Sequence, residues 1–283
     1  MAEAVRAGAI VIENGQLHLP TLVAEATPAG LEATEDRLFQ QIGTVQLPEL
    51  IMEMDSQIRF SWTLLGRELH SVSELLALYG GLLAQGTELT VAEVALMIPE
   101  ISESAIHAVL PLFEDGRVLR QANANVVEFL RRHPVVRHWG EGTTASADAM
   151  SVDVSRHLWN ARVDPRRRTY GIGLYTHLLD LWGIIYDQPV VLNERQAGVA
   201  IEGVVRQTST LLQRLAVDTH GYTHLGMAVS KLVGFDLCPR LKNLRERRLS
   251  VPREMTVPDE LLPIMDRSLA LETVKRGVIS SSA

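Results

Sequence analysis

Apolar positions begin to recur at three- and four-residue spacing only from Leu31 onward. Before that, Val11 to Leu19 alternates weakly and meets Pro20, and Thr27-Pro28-Ala29-Gly30 reads as a turn or linker, so residues 1–30 are expected to be loosely organised. Ala33-Thr34-Glu35-Asp36 opens a helix running to about Gln41, and Leu47, Leu50, Ile51 and Met54 mark another over Gln46 to Met54. Ser71-Val72-Ser73-Glu74 has the form of a capping box ahead of a helix ending near Gly86. Thr90 caps Val91 to Ile98, which Pro99 stops. Ser102 to Phe113 forms a further helix closed by Asp115-Gly116, and Val118 to Arg132 the last one, ending before Pro134. Residues 31–132 therefore read as an all-α domain of short helices.

The pattern changes at Trp139-Gly140-Glu141-Gly142. Thr143 to Val154 is rich in Thr, Ser, Ala and Val and reads as a strand. Thr169 to His177 and Ile184 to Leu192 read as two more, paired as a hairpin through Trp182-Gly183. Arg195 to Arg214 has helical character that Gly198 and Gly203 weaken. Leu215 to Asp218 is a short strand, Tyr222 to Leu232 a helix, and Gly234 to Leu237 another strand. The order predicts a mixed α/β layer over residues 133–252, followed by a tail, 253–283.

Composition narrows the class. With 46% hydrophobic residues and a mean hydropathy of +0.08, the chain can bury a core and is not wholesale disordered. No apolar run reaches membrane-spanning length, and the start lacks a secretory pattern. One cysteine, Cys238, excludes internal disulfides and multi-cysteine zinc sites; a reduced cytoplasmic setting fits, with Cys238 as a small buried apolar residue. The net charge of −7 divides unevenly: residues 1–150 carry −11 and residues 151–250 carry +5. A polyanion would bind the second segment, whereas an ordinary solvated surface needs no partner.

Two aspartates fall where chemistry is often done. Asp148 lies inside the first strand among small neighbours, and Asp218 ends the strand after the next helix. If those strands are adjacent, both carboxylates enter one cleft, where they repel unless a hard cation such as Mg²⁺ or Mn²⁺ is held between them. That is the layout of an RNase H-like nuclease or transposase core using two-metal chemistry. The plainer alternative is a helix cap or turn role for an Asp after a strand. His220 and His224 stand four apart but have no evident third ligand; His220 beside Asp218 is placed to touch a phosphate. Arg166-Arg167-Arg168 reads as an exposed turn, and Lys242, Arg245, Arg247 and Arg248 as a basic cluster at helical spacing. Either is a solvated surface or a contact to DNA phosphates. Trp139, Trp159 and Trp182 read as core anchors.

His133-Pro134 and His138-Trp139-Gly140-Glu141-Gly142-Thr143-Thr144-Ala145-Ser146-Ala147-Asp148 closely resemble the first acidic motif of the Tn-three family of replicative transposases. Asn160-Ala161-Arg162 and Tyr175-Thr176-His177 resemble the next markers, and Val217-Asp218-Thr219-His220-Gly221-Tyr222-Thr223 the second acidic motif. Leu232 to Phe235, Cys238 to Leu241, Leu244 and Arg247-Arg248-Leu249 resemble the block that follows. Leu47-Pro48-Glu49-Leu50 with Glu53 and Asp55 is similar to the helical segment upstream, so the resemblance covers roughly residues 45–252.

The resemblance implies an RNase H-like catalytic core at residues 133–252 in which Asp148 and Asp218 are catalytic metal ligands for Mg²⁺ or Mn²⁺. It implies double-stranded DNA as partner, both terminal inverted repeats and target, contacted by Arg166, Arg167, Arg168, His220, Lys242, Arg245, Arg247 and Arg248. It also implies a homodimer of the full-length enzyme and a cytoplasmic, nucleoid-associated location in bacteria. Two departures matter. The family often has Ser-Asp-Gly-Gln where this chain has Ala147-Asp148-Ala149-Met150. The family's third acid, a Glu on a later helix, has no counterpart among Glu254, Asp259, Glu260, Asp266 and Glu272, and Ser280-Ser281-Ser282-Ala283 reads as an interruption. The expectation is a core that is incomplete and, alone, inactive. The rival class is a catalytically inactive DNA-binding or dimerisation remnant. A cytoplasmic metal-dependent hydrolase of small phosphate esters would instead need a closed pocket and no basic clusters.

Overall fold

The computed structural model describes residues 1–283 except 22, 209, 271 and 273–283; the expectation about Ser280 to Ala283 lies outside the described residues. In chain order the elements are α1 (Ala2–Arg6), β1 (Val11–Glu13), β2 (Gln16–His18), α2 (Leu31–Ile42), α3 (Leu47–Ile58), α4 (Phe60–Leu65), α5 (Val72–Gly86), α6 (Val91–Met97), α7 (Glu103–Val109), α8 (Gly116–Arg132), β3 (Thr144–Asp153), β4 (Arg162–Val163), β5 (Tyr170–Leu179), β6 (Ile184–Val190), α9 (Ala197–Arg206), β7 (Arg214–Val217), α10 (His224–Val233), β8 (Asp236–Pro239), β9 (Leu249–Pro252) and β10 (Met265–Leu269).

They divide into two compact units. One gathers the described residues of 1–34 and 241–272, the other those of 35–240. In the first unit the expected loose segment instead holds a helix and a tight hairpin. Asn14 and Gly15 both have positive φ, 52° and 68°, which is what a two-residue turn closing the Glu13↔Gln16 pair requires. Leu17, Leu261 and Ile264 are buried together, β9 and β10 pair in parallel, and Arg6 meets Glu260 at 3.1 Å.

In the second unit helix ends follow the local chemistry. Thr90 and Glu93 form a reciprocal capping box, with Thr90 N–H donating to Glu93 Oε2 at 2.7 Å. Ser71 caps α5, but the Glu74 carboxylate takes the His70 N–H and pairs with Arg67, so only half of that box forms. Arg67 in turn holds the Glu74 carboxyl down at about 2. Asp115 does not close a helix; its Oδ1 accepts the Arg117 N–H and opens α8, while the stretch before it tightens into a 3₁₀ turn, Leu110–Glu114. The break between α3 and α4 is pinned from a distance. Arg59 is left-handed at φ 51°, and the buried Asp55 accepts from Ser61 N–H and Tyr79 Oη, both at 2.8 Å.

The main sheet has the order β4-β5-β3-β7-β8, with β6 also on β5. β5 is antiparallel to β3 and to β6, whereas β7 is parallel to β3 and β8 to β7. Three antiparallel strands followed by two parallel ones reached through helices is the RNase H-like arrangement. One face of β5 places Tyr175, His177 and Leu179 in the core with Ala145, Ala147, Leu215 and Val217. α9 covers it closely: His177 Nε2 lies 2.9 Å from the Ala200 carbonyl, and a β-carbon at Gly203 would stand 2.0 Å from His177 Cε1. α9 is shorter than expected because the chain turns extended at Gln207, whose side chain ties back to Thr210 before β7. Val127 of α8 belongs to the same core, so the change of secondary structure near residue 132 is not a gap in packing.

Several expectations change. Trp139, Trp159 and Trp182 are not core anchors; they are 52%, 83% and 67% exposed. Cys238 is exposed rather than buried. Lys242, Arg245, Arg247 and Arg248 do not share a helix. Their segment makes only a 3₁₀ turn, Leu244–Glu246, after the left-handed Asn243, and Arg247 and Arg248 donate to nearby backbone carbonyls.

Candidate active site

The start of β3 is set by the Trp139-Gly140-Glu141-Gly142 segment. Its backbone wraps the Asp180 carboxylate, which accepts from Glu141 N–H at 3.2 Å and Gly142 N–H at 3.0 Å. A β-carbon at Gly140 would stand 2.4 Å from Asp180 Cγ, so glycine is what the close approach allows. Asp180 N–H also donates to the Thr144 carbonyl at 2.9 Å. Much of this motif therefore builds the strand that carries Asp148.

Along β3 the side chains alternate: Ala145 and Ala147 are buried, Ser146 and Asp148 exposed. In β7, Leu215 and Val217 are buried. The parallel register sets Ala147 beside Val217, so Asp148 and Asp218 are the next positions on two adjacent strands, in the same phase. Asp218 is also a cap: its Oδ1 accepts from His220 N–H at 2.9 Å and Gly221 N–H at 3.2 Å. The cap role and the paired-acid role coexist, because one carboxylate oxygen carries the cap.

Both aspartates line a cavity of about 550 Å³. His220 and Arg166 line it as well, together with Asp164, Asn193, Glu194 and Gln196, which the sequence did not mark. The only hint was Asn193, a turn residue between strand and helix, left-handed at φ 68°. Arg167 and Arg168, in the same unit, are not among the lining residues. Arg167 braces the loop, its guanidinium reaching Asp164 and Asp153, each at 3.3 Å, and the Ser151 carbonyl. Arg168 stands at the left-handed end of that turn, φ 58°. Lys242, Arg245, Arg247 and Arg248 belong to the other unit. His220 and His224 do not share a helix face, since His220 lies in a 3₁₀ turn and His224 opens α10.

The Ser151 hydroxyl and the backbone N–H groups of Arg166 and Arg167 hold the Asp164 carboxyl down at about 2, against the opposing effect of burial. Behind the acids, Tyr175 is fully buried and its hydroxyl has no hydrogen-bond partner among the described residues. Burial, reinforced by the charges of Asp218 and Asp148, pushes that phenol up. Among the described residues no three His, Cys, Asp or Glu side chains group closely enough to hold a metal ion, so Asp148 and Asp218 are a pair, with Glu194 on the cavity wall. No helix among the described residues is long and apolar enough to cross a membrane.

The chain is similar to known transposases. The transposase for insertion sequence element IS1071 in transposon Tn5271 of Comamonas testosteroni is 46% identical over 98% of this chain, which covers 28% of that protein. The transposase for transposon Tn21 of Escherichia coli is 26% identical over 94% of the chain, covering 27% of that protein. The chain thus spans about a quarter of the length of these relatives. A solved piggyBac transposase synaptic complex with hairpin DNA aligns at a TM-score of 0.37 and 10% identity, over 71% of this chain and 51% of that one. The family model for the Tn3 transposase DDE domain matches residues 49–278, and the chain belongs to that family.

Proposed function

We propose that this chain is the part of a DNA transposase that holds the scissile strand against a pair of acids, Asp148 and Asp218, in an enzyme that cleaves transposon ends and joins them to target DNA. One observation supports the reading: Asp148 and Asp218 follow the paired Ala147 and Val217 and line one cavity, in a chain of the Tn3 transposase DDE domain family. Their hard oxygens suit Mg²⁺ or Mn²⁺. Such an ion, when bound, would supply charge stabilisation and an activated oxygen nucleophile. The residues themselves orient the strand. Arg166 and His220 offer positive or hydrogen-bonding groups to phosphate oxygens at the rim, and the Asp218 cap fixes its carboxylate against rotation.

By itself this chain should not nick DNA, because one oxygen of Asp218 is already taken by two N–H groups and few ligands remain for two ions. Calorimetric titration with Mn²⁺ tests the pairing: weak binding is expected, and Asp218→Asn should abolish it. Identical isotherms would sink the shared-ligand reading. A nicking assay on supercoiled DNA bearing transposon ends, with Asp148→Ala as control, tests the inactivity.

A further inference from the structure

The excursion between β3 and β5, residues 154–169, has features that neither the acid pair nor the core requires. It carries five arginines against one aspartate, and its Trp159 is 83% exposed. An indole this exposed offers a flat apolar face to a partner. The arm is built rather than loose. Ala161 is buried beneath it, and Leu158 N–H and Ala161 N–H close successive turns onto Ser155 and Leu158 carbonyls at 3.1 and 3.0 Å. Arg162 Nη1 donates to the Trp159 carbonyl at 3.3 Å and the Ala161 carbonyl at 2.8 Å, which ties that guanidinium to the same turn of backbone that carries Trp159. Asp164 and Arg167 brace its base, and from that base Arg166 faces the acid cavity.

An exposed aromatic face in a segment this rich in arginine suits a ligand that is both planar and anionic. That describes an unstacked nucleotide better than a protein surface, whose anchors to such an arm would be carboxylates without a ring. A closed duplex hides its base faces, so the indole would be idle against one. We propose that the 154–169 arm is a single-strand binding site in which Trp159 stacks on an unpaired base while Arg162 and Arg168 take the adjoining phosphates, holding a melted strand that enters the Asp148–Asp218 cavity. This rests on the DNA reading above and adds that the strand is unpaired at the arm.

The test uses the 283-residue chain and a short oligothymidine carrying one 2-aminopurine, alone or annealed to its complement. Wild type should bind the single strand and alter the 2-aminopurine emission. Trp159→Ala should weaken that binding by roughly five- to a hundredfold, the worth of one base stack, while duplex binding changes less than about twofold. Trp159→Phe should restore much of the affinity and the emission change. Unaltered single-strand affinity in Trp159→Ala, with a wild-type circular dichroism spectrum, overturns the arm proposal and leaves the DNA reading intact. Wild type binding neither oligonucleotide overturns both.

Discussion

A single methyl group at Gly203 should destabilise the core sharply. Its carbon would stand 2.0 Å from His177 Cε1, 2.4 Å from Nε2 and 2.6 Å from Nδ1. Carbon contacts settle at about 3.5–4 Å, so the gap is short by about 1.5 Å. The ring cannot retreat: it is fully buried, tied to the Ala200 carbonyl at 2.9 Å, and flanked by the Tyr175 and Tyr186 rings at 5.4 and 6.0 Å. α9 must therefore lift. Overpacking of this kind costs about 1–3 kcal/mol, and loss of the hydrogen bond adds about 1. Replacing glycine by alanine inside a helix returns only about 0.5–1 kcal/mol. The net expectation for Gly203→Ala is a loss of about 1–3.5 kcal/mol. Gly198, on the same helix, has nothing within 4 Å of its added carbon, so Gly198→Ala should be neutral or stabilising by up to about 1 kcal/mol. Urea unfolding followed by circular dichroism would separate them. The His177→Ala/Gly203→Ala pair should lose less than the sum of its singles, because truncating the ring removes the clash. Equal midpoints for the Gly198 and Gly203 variants would refute the reasoning.

Three further outcomes are expected. Asp55→Ala strands two buried donors, Ser61 N–H and Tyr79 Oη, and should cost about 2–5 kcal/mol in urea melts, with Asp55→Asn costing less because one acceptor remains. Tyr175→Phe removes a buried hydroxyl without a partner among the described residues, so the melting temperature should hold or rise; a loss above about 1 kcal/mol would contradict this. Burial pushes the His177 imidazole below its ordinary value, so the folded chain keeps it neutral while the unfolded chain gains a proton below about pH 6.5. Stability is then full above that pH and drains as pH falls toward the folded-state value; urea midpoints between pH 7.5 and 5 should drop more for wild type than for His177→Gln.

What could be read from the chain was what local chemistry decides. The Thr90-to-Glu93 box, the small and β-branched run of β3, and the Trp182-Gly183 hairpin turn all formed, because their causes lie within a few residues. The Asn14-Gly15 hairpin is equally local, but the weak alternation of its flanks hides it in the sequence. α4 was not legible, since its separation from α3 depends on Tyr79, 24 residues from Asp55. The basic residues after Lys242 had helical spacing, but spacing sets only which face residues share once a helix exists, and Asn243 turns the chain left-handed there. At the site, the acid pair was legible because a strand order brings it together. Arg166 and Arg167, adjacent in sequence, part company only through where Asp164 and Asp153 stand. Glu194 and Gln196 reach the cavity from a loop whose path no periodicity encodes.

The Asp180 clamp has a consequence for how β3 docks. Ala145, Ser146, Ala147 and Ala149 are so alike in size that side-chain volume alone discriminates weakly between neighbouring alignments of β3 on β5, and the cost of turning Asp148 into the core is what opposes a slip. A slip of one residue would keep every ladder hydrogen bond available yet turn Asp148 inward and Ala147 out. By tying Glu141 and Gly142 to the far end of β5, the carboxylate of Asp180 fixes the alignment before the first small residue is reached. A lesion at Gly140 or Asp180 would then loosen the start of β3 on β5 and lower stability, while the cost of burying the Asp148 carboxylate still opposes a slipped alignment.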